Sequence, residues 1–370
     1  MTDVLRSGSI IDLGMPFKKK SYGKNVWDMQ LFNNKIYFGH GNSSNSGPEP
    51  NCGPVPIRYL DLNSDTFGVE NVSNTSSTHA DEEQIDRFRI INCILTIPGH
   101  DAKGESWDFG NFYRLESGIW KKYRNIPKGI HVYDMVAFNG RLFSAIGSDD
   151  SGKVYSSIDN GLSWQLVGEC VFENFSVGNR FFTFVMVDGK LYATGYIYAI
   201  NELKTIFLEI DINFNVRTIA VDRSVIAPEY NGQMILKLDR PTNFLGKALY
   251  IYGEIYNDHQ IIPLALIVAD NLLATRKVNL PTGFVPRDIL IREETAYLLT
   301  SKKVQNDSWI IRVYRSNDAV KWIEEFSFNY VTYAHSFEEY QGTFYFGLGS
   351  ETEYVSPMTG HILKYTIPYV

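Results

Sequence analysis

The sequence predicts an all-β fold, a seven-bladed β-propeller of four-stranded antiparallel blades, and three observations predict it. A strand, tight turn and strand pattern recurs seven times, the copies are spaced by about one blade length, and the last copy lacks an outer strand that the N-terminus can supply.

The clearest copies are Met135 to Gly147, Phe184 to Gly195 and Met29 to Gly39. Their turns, Asn139-Gly140, Asp188-Gly189 and Asn33-Asn34, are of the residue types that adopt the positive φ angles of a two-residue hairpin. Weaker copies lie at Ile90 to Gly99, Phe244 to Gly253, Asp288 to Thr300 and Glu338 to Gly349. An apolar residue begins the second strand of each: Ile36, Leu95, Leu142, Leu191, Leu249, Ala296 and Phe344, 47 to 59 residues apart. Third and fourth strands follow, as in Val154 to Ser157 with Trp164 to Val167, and Trp309 to Tyr314 with Trp322 to Phe326. No long helix is expected. The seventh copy ends after Gly360 to Ile367, its third strand, and Ser9 to Pro16 resembles the fourth-strand ending Thr275 to Pro281. The N-terminal strand is therefore expected to join the last blade and close the ring, removing an open edge. A solenoid would need capping segments. The blades run approximately 21–80, 81–127, 128–172, 173–225, 226–283, 284–328, and 329–370 plus 8–16, one propeller domain over residues 1–370.

Composition agrees with a large core: 44% of the 370 residues are hydrophobic and 14% aromatic, which excludes a disordered chain. The net charge is −7 and the longest basic run is Lys18-Lys19-Lys20, so nucleic acid is not an expected partner. Cys52, Cys93 and Cys170 are odd in number and widely spaced, a pattern of reduced thiols without a disulfide framework or zinc cage. No signal-peptide h-region and no run of membrane-spanning length is present. Synthesis in the cytoplasm without membrane insertion is the expectation, and the Asn-x-Ser sequons at Asn42, Asn71, Asn74 and Asn306 are expected to stay unmodified.

The segment Ser157-Ile-Asp159-Asn-Gly161-Leu-Ser163-Trp164 resembles the Asp-box of sialidase-like propellers, Ser-x-Asp-x-Gly-x-Ser/Thr-Trp, at all five defining positions. Ser316 to Trp322 is a shortened copy without the Gly, and Glu116 to Trp120 keeps a trace. The resemblance implies a structural turn between third and fourth strands. Asp159 would bind local backbone amides, Gly161 would take a strained φ, and Trp164 would pack between blades. It does not imply sialidase activity, because Pro56-Ile-Arg58 is the nearest string to the family's Arg-Ile-Pro segment and runs in the reverse order.

Chemistry is expected on one face, around the central axis, where first strands begin and second-to-third-strand loops open. First-strand starts carry Trp27, Asp28, Asp86, Arg87, His131, Tyr133, Asp134, Arg287, Asp288 and His335. The loops add His40, His100, Asp101 and His259. The long loops Gly39 to Pro56 and Gly99 to Gly110 both begin Gly-His, and the second presents Trp107 beside Asp108. Long loops on a rigid scaffold build recognition surfaces. Trp27, Asp28, Trp107 and Asp108 are candidates for glycan binding, an aromatic plane stacking on a sugar while a carboxylate accepts its hydroxyl protons.

The leading functional reading is a non-catalytic glycan- or partner-binding propeller. The alternative is a polysaccharide-cleaving glycosidase or lyase, needing paired carboxylates or a His/Tyr pair with an Arg. His100, Asp101, His131, Tyr133, Asp134 and Arg87 are its candidates. No cofactor is expected, and a divalent metal on the rim would draw on His40, His100, His131 and His335, which share no local spacing signature. The bland reading of each His or Asp is a bond to neighbouring backbone. A docking disk is a third class, with Tyr196, Tyr198 and Tyr354 as contacts. Asp-box propellers mostly work outside cells, so a signal-less chain suggests a bacteriophage virion component, a tail or capsid-associated protein in many copies that meets glycans or other virion proteins.

Overall fold

The computed structural model describes residues 8–17, 25–44, 51–73, 78–148, 151–170, 180–197, 205–256, 260–305, 308–350 and 356–367. Among the described residues it is all-β apart from one short helix, Arg223–Ile226; its sheets form the seven four-stranded antiparallel blades of a β-propeller, with short strands besides these, Val55–Pro56 paired with His79–Ala80, and Val72–Ser73. The chain divides into two compact units, residues 1–88, 117–120 and 280–370, and residues 89–116 and 121–279.

The first unit holds three blades. The first blade is Asp28–Phe32, Lys35–Gly39, Arg58–Asp61 and Thr66–Val69, and the sixth is Val285–Arg292, Thr295–Lys303, Trp309–Ser316 and Ile323–Tyr330. The seventh is Ala334–Tyr340, Thr343–Leu348 and Ile362–Thr366, completed by Ser9–Gly14. That N-terminal strand pairs antiparallel with Ile362–Thr366, as the sequence predicts, and the Gly8 amide donates to the Tyr365 hydroxyl at 2.7 Å. Trp120 is fully buried here, 5.9 Å from Tyr37 and 6.3 Å from Phe88 between ring centroids.

The second unit holds the other four blades. They are Arg89–Ile91, Ile94–Pro98, Phe109–Glu116 and Ile119–Pro127, the last strand starting within residues grouped with the first unit. Then come His131–Phe138, Arg141–Gly147, Gly152–Ser157 and Gln165–Cys170, and then Thr183–Val187, Lys190–Thr194, Thr205–Ile210 and Val216–Val221. The fifth blade is Leu236–Phe244, Lys247–Tyr256, Gln260–Asn271 and Ala274–Lys277. Apolar side chains from facing blades interlock, as where Phe143, Phe181, Phe184, Leu191 and Leu208 form one buried cluster.

All seven hairpins turn through left-handed residues: Asn33, Asn92, Asn139, Asp188, Leu245, Glu293 and Gln341 have φ of 46° to 52°. Leu245 and Glu293 lack the side chains that favour this region, which is why those two copies are faint in the sequence. The fifth hairpin also differs from expectation: Phe244 ends its first strand, which begins at Leu236. A bulge at Arg240-Pro241, between Asp239 and Thr242, breaks the alternation that would mark it.

Third-to-fourth-strand turns share a carboxylate or amide device. Asp159 Oδ1 accepts from the Ser163 amide at 2.9 Å and the Ser157 hydroxyl at 2.7 Å, while Gly161 has φ +89°. The side chains of Ser163 and then Ser157 hold the Asp159 carboxyl down at about 2. The Trp164 indole donates to Asn125 Oδ1 at 3.2 Å and lies edge-on to Phe112. Asp318 repeats the device with the Val320 and Lys321 amides, and Ala319, φ +58°, follows its acid as Asn160, φ +62°, follows Asp159 in the other turn. Asp61, Asp211 and Asn271 also accept amides two residues on.

First strands are tied to their neighbours by acids that are buried or half-buried. In the second unit Asp134, with no solvent exposure, accepts from Arg89 Nε at 2.8 Å and Nη2 at 2.9 Å. It also accepts from the Met135 and Phe184 amides and the Thr183 hydroxyl. In the first unit Glu338, equally buried, takes Arg292 and the amides of Leu31 and Glu339, each 2.7 Å away. Asp28 accepts from the Phe88 amide at 2.6 Å and Asp288 from the Phe337 amide at 3.1 Å. Replacing Asp134 with Asn leaves Arg89 without its carboxylate, and removing one partner of such a pair costs about 3 kcal/mol. Equilibrium urea denaturation of D134N should show that loss; an unchanged midpoint would remove Asp134 from this role.

Candidate functional site

In the second unit the start of His131–Phe138 is bulged: Val132 faces Ile146 and Asp134 faces Ala145, leaving Tyr133 as the extra residue. Bulges re-aim side chains, and Tyr133 becomes the hub of a ring cluster. His100 lies edge-on at 5.2 Å, His131 stacks at 5.4 Å and Phe182 sits at 4.8 Å, itself 4.6 Å from Tyr196. His131 Nδ1 is 3.2 Å from the His100 carbonyl and 3.4 Å from Asp101 Oδ1. Four catalytic candidates, His100, Asp101, His131 and Tyr133, are thus brought together.

Arg180, Phe182, Tyr196 and Lys237 complete this cluster and were not singled out by the sequence reading. Arg180 Nη1 donates to the Tyr133 hydroxyl at 2.8 Å, and the Lys237 ammonium lies 4.5 Å from the Phe182 centroid. The signal available for Arg180 was its place just before the Phe184 to Gly195 hairpin, the counterpart of Trp27 and His131 in theirs. Two glycines make room for it. A Cβ on Gly147 would sit 2.9 Å from Arg180 Cγ and 3.0 Å from the Tyr133 ring, and one on Gly195 only 2.5 Å from the Arg180 carbonyl oxygen. Among the described residues Arg180 has no carboxylate partner, and its Nε is buried without a hydrogen bond. Burial raises the pKa of the Tyr133 phenol above the ordinary tyrosine range, and burial pushes that of Tyr196 up to about 12, so both rings stay neutral.

The remaining candidates are placed as follows. Asp134 is the sealed clamp described above. In the first unit Arg87 is buried, its Nε 3.9 Å from Asp86 Oδ2. The half-buried Trp27 indole donates to the Gly41 carbonyl at 2.9 Å and stands edge-on to His335 at 5.1 Å. His335 and Arg287 are also bulge residues of their strands, and Arg287 lies 4.0 Å over the Tyr333 ring. Asp28 meets the Phe88 amide. His40 is fully buried, its Nε2–H donating to the Pro56 carbonyl at 2.7 Å and its ring 4.4 Å from Phe17. In the second unit Trp107 is 60% exposed, and Asp108 accepts from Ser106 and Arg124. His259, Tyr198 and Tyr354 lie outside the described residues. Among the described residues no three His, Cys, Asp or Glu side chains converge as a metal site.

Burial pulls His40 down to about 4, against the Pro56 hydrogen bond and with help from Arg58. The unfolded chain protonates this residue near 6.5, so its contribution to stability is intact above that pH. It drains as the pH falls from about 6.5 to 4, by roughly 3 kcal/mol in all. Thermal unfolding across that window should be steeper in wild type than in H40N; parallel curves would refute a neutral buried His40.

No family model matches the chain, and no curated protein matches it. Solved structures similar to it include the polysaccharide lyase Uly1, 10% identical over 94% of this chain and 90% of that one, with a TM-score of 0.47. The β-propeller domain of the Trilobed protease from Pyrococcus furiosus is 8% identical over 89% and 92%, TM-score 0.49. An ancestral GH74 enzyme is 11% identical over 86% of this chain and 39% of that one, TM-score 0.47. Nothing that those proteins bind or cleave follows for this chain at such identities.

Proposed function

We propose that the chain binds acidic saccharides, without cleaving them, on the Tyr133 cluster of its second unit. The observation that carries this reading is Arg180, a guanidinium held by a phenol and free of any carboxylate among the described residues. A cation placed there, half withdrawn from water, lacks the counter-charge that most such groups keep. A planar guanidinium fork matches a carboxylate or sulfate bidentately. Lys237 adds a second cation, and His100 and His131 add partly exposed rings on which a pyranose can rest. The Ser157 to Trp164 turn is read as the folding device implied by its likeness to sialidase-like propellers, and takes no part in binding.

Binding to acidic polysaccharides, measured by calorimetry, should weaken at least about tenfold in R180A, with partial recovery in R180K. Equal affinity of wild type and R180A would overturn the reading.

The His131–Asp101 contact favours a second reading, cleavage of the same polymer with His131 moving a proton. Release of new chain ends by wild type that disappears in H131A would replace binding by catalysis. Binding without release in either supports the first reading.

A further inference from the structure

The loop that begins with His100 and Asp101 also carries Trp107, and we infer that Trp107 with Phe109 forms a second, remote subsite, so that the ligand is a polymer. This rests on the reading of the Tyr133 cluster as an acidic-saccharide site. Of the six tryptophans in the chain Trp107 is the exposed one, at 60%, and Phe109 beside it is 39% exposed. A large aromatic in water gives up the burial that stabilises its kind elsewhere, as at Trp120.

The residues around Trp107 are pinned. Arg124 Nη2 donates to the Ser106 carbonyl at 2.8 Å and to Asp108 Oδ1 at 2.6 Å, the Ser106 hydroxyl donates to Asp108 Oδ1 at 2.7 Å, and the Lys128 amide donates to the Asp108 carbonyl at 2.7 Å. Glu105 is held by Lys122 and Asn111, each at 2.7 Å. The ordering cost of presenting the indole is met before any ligand arrives, which is how rigid aromatic anchors gain affinity.

Trp107 makes no ring contact with the Tyr133 cluster among the described residues, yet it lies six residues beyond Asp101 and so at most about 20 Å from it. One oligosaccharide can therefore reach both. Charge favours an acidic chain: the net charge is −7, but residues 102–128 carry six Lys or Arg against three Asp or Glu.

The test compares wild type, W107A and R180A for calorimetric binding to polygalacturonate, alginate and hyaluronate and to the disaccharide unit of whichever is bound. W107A should bind the polymer about tenfold more weakly and the disaccharide as wild type does, while R180A loses both. Polymer binding unchanged in W107A overturns the inference and leaves the Arg180 reading intact, and equal loss of polymer and disaccharide also overturns it by making Trp107 part of the first subsite. Failure of wild type to bind any of the three polymers removes the Arg180 reading itself. A change in sedimentation of W107A with polymer binding unchanged would make Trp107 a protein contact instead.

Discussion

A buried carboxylate on the first strand of a blade is the interaction on which the local architecture depends. Ionising Asp134 away from water is costly by several kcal/mol, and only a full set of donors recovers it. Five are present, from Arg89, Met135, Thr183 and Phe184. Because they come from three blades of the second unit, one side chain fixes the relative register of three strands. Glu338 does the same in the first unit through Arg292, Glu339 and Leu31, with burial raising its carboxyl to about 7 against the pull of Arg292. The apolar faces around these acids supply more free energy, but hydrophobic contact is non-directional and leaves strands free to slide. The carboxylates remove that freedom.

The same anchors decide what the neighbouring residues do. In the third and sixth blades the bulge falls on the residue just before the acid, Tyr133 before Asp134 and Arg287 before Asp288. In the seventh blade His335 precedes Ser336, whose hydroxyl donates to the Val26 carbonyl. An extra residue in one strand of a pair bends it and turns its side chain out of the sheet's alternation. Thus the sealed acid and the displaced aromatic or cation are two results of one local irregularity. The Tyr133 cluster follows from it directly, since in a regular strand Tyr133 would face its hairpin partner rather than Arg180 and His100.

Much of this was legible in the residues because turn chemistry is local. Asn33-Asn34, Asn139-Gly140 and Asp188-Gly189 announce their hairpins, whereas Leu245 and Glu293 are forced into the same conformation by the strands on either side. The N-terminal closing strand was legible from arithmetic, a blade one strand short and a spare strand at the other end. The candidate site was half legible: His100, Asp101, His131 and Tyr133 stand out by position, while Arg180, Phe182, Tyr196 and Lys237 reach the cluster from two further blades. A linear pattern also does not tell an acid that meets a backbone amide, such as Asp28 or Asp134, from one that awaits a ligand.

Arg180 illustrates why a rigid frame matters to a site of this kind. A guanidinium without a carboxylate partner, as Arg180 is among the described residues, favours any movement that would carry it into water, and on a loose loop such movement costs little. Here its backbone bridges to Gly147 and is flanked closely by Gly195, where a Cβ would collide with it. Its side chain is fixed by a phenol that Asp134, through the adjoining bulge, holds in place. Packing stabilised elsewhere blocks relaxation, so in the proposed site the guanidinium would be held in place for an incoming anion. The affinity of such a site for an acidic group is then set less by the contacts formed than by the reorganisation that the free protein is prevented from making.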